Sequence, residues 1–299
     1  MDGDQGVVAL RRRASGALHR RPVLRGGLLL APPTAWFLVL YVGALVALFV
    51  SAFWQIDDFT GATVHAWTFD NFHTLLSDPV YRTVALRTIK IAAAVTVTDA
   101  LLALPFAYYA ARIASRRTSS ILFVAVLLPL WSSYLVRVYA WRLILAKDGV
   151  LNWALDGIGL GSLNVAYSNW AMWIVFSYIW LPYMIVPIFG AMERIPSSII
   201  EASADLGAKS WTTTAKVLFP MALPGIIAGS IFTFALTLGD FISPILVGGA
   251  HSTFIGNVIY DNIGTANNLP FAAALAIVPI AIMTIYLLGA RFLGAFEAL

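Results

Sequence analysis

Glu201, Ala202, Ser203, Asp205, Gly207 and Ala208 form a stretch whose residue types suit docking rather than bond-breaking. Ser198-x-x-Glu201 reads as a capping box, the hydroxyl accepting from the Glu201 N–H and the carboxylate reaching back to the Ser198 N–H. Ala202, Ala204, Leu206 and Ala208 favour a short helix, and Gly207 is available to turn the chain. A helix of small residues offers a surface that another backbone can approach closely. Two carboxylates, Asp99 and Asp240, lie inside long apolar runs. Such a group is costly at membrane depth unless it faces protein or water, which makes both candidates for a substrate pathway. Trp131 and Tyr134 add aromatic faces on which a cationic amine could stack. The same four residues also suit plain structural roles, as hydrogen-bonded aspartates and interface anchors.

Other chemistries are excluded. The chain has no cysteine, hence no disulfide, iron–sulfur cluster or thiolate metal site. His19, His65, His73 and His251 show no metal-ligand spacing. Gly207-Ala-Lys-Ser210 lacks the spacing of a phosphate loop, and no other such loop occurs, so the chain is not expected to bind ATP. Nothing pairs a nucleophile with a base, and no enzyme activity is expected of this chain.

The elements that position these residues must be membrane helices. Of 299 residues, 60% are hydrophobic and 11% charged, with a mean hydropathy of +0.82, which marks an all-α polytopic membrane protein. The net charge of +4 is no nucleic-acid footprint, because the basic residues cluster at the ends of apolar runs. Six runs are long enough to cross a bilayer, near residues 27–54, 84–111, 120–145, 169–192, 223–248 and 269–292. They lack the alternation of a barrel strand. Residues 1–26, with six arginines, read as a cytoplasmic tail, and 27–299 as a six-helix domain carrying a loop over 193–222. Of the 19 Lys and Arg residues, 13 fall on the side of that loop, in the tail, the Arg112–Arg117 turn, the loop itself and Arg291. The positive-inside rule then puts the loop and both termini in the cytoplasm of a multi-pass chain. Short helices are expected in the outer segments 55–81 and 250–268, and an amphipathic piece lying at the interface in 147–168.

The loop resembles the EAA loop of binding-protein-dependent ABC importer permeases. Glu201, Ala202, Gly207, Ala208, Val217, Pro220, Pro224 and Gly225 stand at the matching positions, while Ser203, Thr214 and Phe219 depart from the pattern. Trp211, one turn before Thr214, could substitute for the aromatic usual at that position. The resemblance implies a type I importer permease fold. It also implies a short helix that docks on a separate ATPase subunit, with Glu201 positioning it and Gly207 permitting its turn. The partners it implies are a second homologous permease subunit, two ATPase subunits that use ATP and Mg, and an extracytoplasmic solute-binding protein, in a bacterial inner membrane. Leu127–Leu145, Trp180–Pro196, Thr237–Gly249 and Phe254–Asn262 are further similar to spermidine/putrescine-type permeases, and the run beginning at Leu28 to the first permease of such pairs. That likeness implies a polyamine cargo. Other ABC cargoes (an opine, an amino acid, ferric iron) share these segments, and an ion-coupled secondary transporter would leave the loop unexplained.

Overall fold

The computed structural model describes residues 22–57 and 59–292, so residues 1–21 of the expected tail lie outside it. Within that range the chain is almost wholly helical. The first crossing joins α1 (Pro22–Phe37), a π turn (Leu38–Val42) and α2 (Gly43–Ser51). A two-residue antiparallel pair, β1 (Gln55–Ile56) with β2 (Thr63–Val64), and α3 (Asp70–Ser77) follow. The second crossing is α4 (Pro79–Tyr108), ending in a π turn at Tyr109–Ile113.

The third crossing departs from the expected single helix. It is α5 (Arg116–Leu127) with a 3-10 turn at Leu128–Trp131, then α6 (Tyr134–Leu145) and α7 (Val150–Gly157), bent by 94°. The break follows from Pro129 and the extended Ser132 and Ser133. Proline supplies no N–H to the ladder, and beyond it the Ser132 N–H and hydroxyl both donate to the Pro129 carbonyl, at 3.2 and 2.7 Å.

The fourth and fifth crossings are α8 (Asn169–Glu193) and α11 (Phe219–Gly239). Between them lie α9 (Ser197–Asp205), α10 (Ser210–Thr213) and a π turn (Thr214–Leu218). Two short helices, α12 (Ile242–Val247) and α13 (Ile255–Gly264), precede the last crossing, α14 (Leu269–Phe292). The short helices expected in 55–81 and 250–268 are present as α3 and α13, and the amphipathic segment 147–168 contains α7.

The core is the bundle α4–α8–α11, whose contacts dominate the fold. Apolar burial does not drive helices together in lipid, so close packing of small residues must. Gly225 and Gly229 supply it. A Cβ on Gly225 would stand 2.6 Å from both the Ala191 Cβ and the Pro187 carbonyl oxygen, and one on Gly229 3.0 Å from the Met184 Cα. Around this bundle many large apolar side chains stay exposed, Leu101, Leu143, Phe232 and Ile285 among them, as lipid-facing residues must. The first crossing is peripheral, with no buried residue in its π turn or in α2. Ala52 and Leu48 meet Ala273 and Ala274 of α14 at the face opposite the loop. Among the described residues five helices are long and apolar enough to cross a membrane, or six if the bent pair counts as one span.

Candidate functional site

The loop builds its surface from local rules. Its helix starts at Ser197, immediately after Pro196, and no side chain caps it. The expected Ser198–Glu201 capping box is therefore corrected: Ser198 lies inside the first turn instead of at its N-cap, and Glu201 is a further turn along. The C-terminus forms a Schellman turn. The Ala208 N–H donates to the Ser203 carbonyl at 3.1 Å, and the Gly207 N–H to the Ala204 carbonyl at 2.8 Å. Gly207 takes φ +78°, a left-handed conformation that suits glycine, and a Cβ there would meet nothing within 4 Å. Glu201, Ala202, Asp205 and Gly207 are exposed, Ser203 and Ala208 half-buried.

Ser203, the departure in the triplet, has a use here. Its hydroxyl and that of buried Thr213 lie 2.9 Å apart and tie α9 to α10. Trp211 is 80% exposed and Leu206 90% exposed, so neither side chain is packed within this chain. A cavity of about 420 Å³ opens between α8 and α11 near this end, past Pro187, Ala191, Arg194 and Gly225. Asp99, Trp131, Tyr134 and Asp240 are not among its lining residues.

The candidate pathway residues separate into two places and an exception. Asp240 caps the end of α11 and is almost fully buried. One carboxylate oxygen accepts from the Ile242 N–H at 2.8 Å and the Ser243 N–H at 3.2 Å. The other accepts from the Tyr134 hydroxyl and from the Ser243 hydroxyl at 3.0 Å. Tyr134 stacks on Trp180 with ring centroids 5.9 Å apart. Asp240 and Tyr134 thus form one polar knot joining α6, α11 and α12, with the Arg137 guanidinium 6.0 Å from the Tyr134 ring.

Asp99 lies elsewhere, wholly buried in the three-helix core, and neither carboxylate oxygen has a hydrogen-bond partner among the described residues. Ser177 of α8 approaches it without reaching hydrogen-bond geometry. At 1.5 Å rise per residue, Asp99 stands about 14 Å from Tyr108 at the loop end of α4. Ser177 on α8 and Thr233 on α11 sit at about 24 and 21 Å from Glu193 and Phe219 by the same measure, and both hydroxyls are also unpartnered among the described residues. Trp131 is the exception, 85% exposed at the bend and touching neither group.

Two contributors were missed by sequence reasoning. Thr213 carried no signal beyond its place in a loop. Arg112 was read only as a topology charge, yet one guanidinium nitrogen donates to the Met192 carbonyl and, at 2.6 Å, to the Ile195 carbonyl, at the hinge leading into α9.

Residues 28–297 match the family described as binding-protein-dependent transport system inner membrane component. The inner membrane ABC transporter permease protein YdcU of Escherichia coli (strain K12) is 44% identical over 300 residues, covering 96% of this chain and 95% of that one. The spermidine/putrescine transport system permease protein PotB of Salmonella typhimurium (strain SL1344) is 32% identical over 224 residues, covering 74% of this chain and 77% of that one. Among solved structures, a bacterial alginate ABC transporter in complex with an alginate pentasaccharide-bound periplasmic protein superposes with a TM-score of 0.75 at 19% identity, covering 95% of this chain and 97% of that one.

Proposed function

The chain belongs to the binding-protein-dependent transport system inner membrane component family and is a permease subunit of an ABC importer, and from that premise we propose that it carries a small organic cation of the polyamine class. The 32% identity to PotB over 74% of the chain carries this reading. The sequence has no phosphate-loop spacing, and ATP hydrolysis is assigned in this reading to a partner subunit.

The loop helix α9 is the docking element for that ATPase. Its exposed Glu201, Ala202 and Asp205 and the turn at Gly207 present a compact surface on the cytoplasmic side, and Leu206 and Trp211 add exposed apolar side chains. A second permease subunit completes the pathway, two ATPase subunits sit beneath, and a solute-binding protein delivers cargo from outside. ATPase closure pushes α9, and the bundle α4–α8–α11 answers by alternating access.

Identification of the ligand held by the cognate binding protein tests the cargo assignment. Spermidine or putrescine is the expected occupant, and an anionic or neutral solute overturns it. Glu201→Lys tests the docking role. Full uptake and normal ATPase co-isolation in that variant would remove α9 from the coupling path.

A further inference from the structure

We propose that Arg112 is a positioning residue that locks the end of α4 to the hinge of the docking helix, so that motion of α9 reaches α4 directly as well as α8 and α11. The proposal rests on the coupling role assigned to α9 above.

Two of the three core helices are joined covalently to the loop. α8 runs into it through Arg194–Pro196, and α11 leaves it through the π turn at Thr214–Leu218. The chain of α4 instead continues to α5, away from the loop. Arg112 supplies the missing tie. A guanidinium nitrogen donates to the Met192 carbonyl in the last turn of α8 and to the Ile195 carbonyl at 2.6 Å.

The Met192 carbonyl has only a long 3.3 Å bond from the Ile195 N–H, and the Ile195 carbonyl accepts no backbone N–H among the described residues. The last carbonyls of any helix lack intrahelical partners, and cations are favoured beside them. Here the following residue is Pro196, which has no N–H to give. The N–H four residues beyond Ile195, at Ile199, donates to Pro196 instead. Arg112 fills the gap with a charge-assisted bond, and its Nε is buried with no partner of its own among the described residues.

The backbone of α4 is shaped for this contact. Ala103 and Ala107 are buried on the face toward α8. Arg112 follows Ala107 by five residues, a spacing that leaves that face in an α-helix. The π turn at Tyr109–Ile113, closed by the Ala114 N–H donating to the Tyr109 carbonyl at 2.9 Å, widens the turn and brings Arg112 back toward α8.

The experiment uses the complete transporter with cysteine-free partner subunits. This chain has no cysteine, so Ile113→Cys and Ser198→Cys introduce the two labelling sites in it, both at exposed positions. In the otherwise unchanged chain the spin-label distance between them is expected to stay narrow and constant through the ATP cycle, because α4 and the hinge move as one body. A distance that shifts with ATP while uptake proceeds overturns the proposal.

Arg112→Met keeps the apolar stem and removes both donors. It is expected to broaden that distance and to lower solute imported per ATP hydrolysed by about tenfold, the scale of one charge-assisted hydrogen bond, with Arg112→Lys restoring most of the ratio. An unchanged ratio in an assembled Arg112→Met complex also overturns it. If Arg112→Met does not assemble, the distance in the otherwise unchanged chain decides. Absence of any ATP-driven import in the complete transporter would instead sink the coupling reading itself.

Discussion

Gly207 gives the sharpest test of the docking loop, because its geometry separates backbone strain from steric contact. Its φ of +78° closes the Schellman turn, and a side chain there would enter open space. A substitution therefore clashes with nothing inside this chain, and its cost is conformational. Holding an ordinary L-residue in the left-handed region costs about 1–2 kcal/mol. At 1.4 kcal/mol per tenfold, that shifts the population of the formed turn by about 5- to 30-fold. Asparagine visits this region more readily, and a β-branched residue resists it most. The expected order of ATP-driven uptake in proteoliposomes is Gly207 ≥ Asn > Ala > Val, with co-isolation of the ATPase subunit falling in the same order. The graded order is the point of the series. If Gly207→Asn were as defective as Gly207→Val, the lost property would be close approach of the partner's backbone rather than strain. If Gly207→Val retained full uptake, the turn would play no part in coupling.

Three further outcomes follow from the bundle and the polar groups. Gly225→Ala sets a methyl 2.6 Å from Ala191 and the Pro187 carbonyl, so it should cost about 1–3 kcal/mol of overpacking and lower the thermal midpoint in detergent. Gly190→Ala, with nothing within 4 Å, should leave the midpoint unchanged, and equal effects from both would refute the close-packing account. Asp240→Ala strips an acceptor from two N–H groups and two hydroxyls and should reduce midpoint and uptake together, while Asp240→Asn keeps an acceptor for Ile242 and Ser243 and should spare the fold. Loss of uptake in Asp240→Asn at an unchanged midpoint would show that the charge itself meets cargo. Asp99→Asn removes an unpartnered buried carboxyl at nearly constant shape; a raised midpoint with intact uptake is expected, and abolished uptake would assign Asp99 to transport.

The parts of this molecule that were legible in the sequence are those dictated by local chemistry. Runs of apolar residues had to become membrane helices, and Gly207 had to provide a left-handed turn, because few other residues adopt that conformation cheaply. The third crossing was misread as one helix because its hydropathy is continuous across Leu127–Leu145, although Pro129 and the two serines after it determine the bend. The capping box failed for a related reason. The motif was present in type and spacing, but Pro196 starts the helix earlier and moves Ser198 inside it. What stayed hidden is long-range. Arg112 meets its carbonyls across 80 and 83 residues, and Tyr134 meets Asp240 across 106. Each side chain, taken alone, has an adequate local explanation as a topology charge, an interfacial aromatic or a membrane carboxylate. Tyr134 and Asp240 were named separately as cargo candidates, yet each satisfies the other's polar atoms. In a chain with so few charges, a polar residue at a helix end is therefore best examined first for an unpaired backbone or side-chain group on a neighbouring helix, and assigned to cargo only where that search fails. By that criterion Asp99 stands apart from Asp240, since its oxygens find no partner in the described chain, and the Asp99→Asn measurement carries the more information of the two.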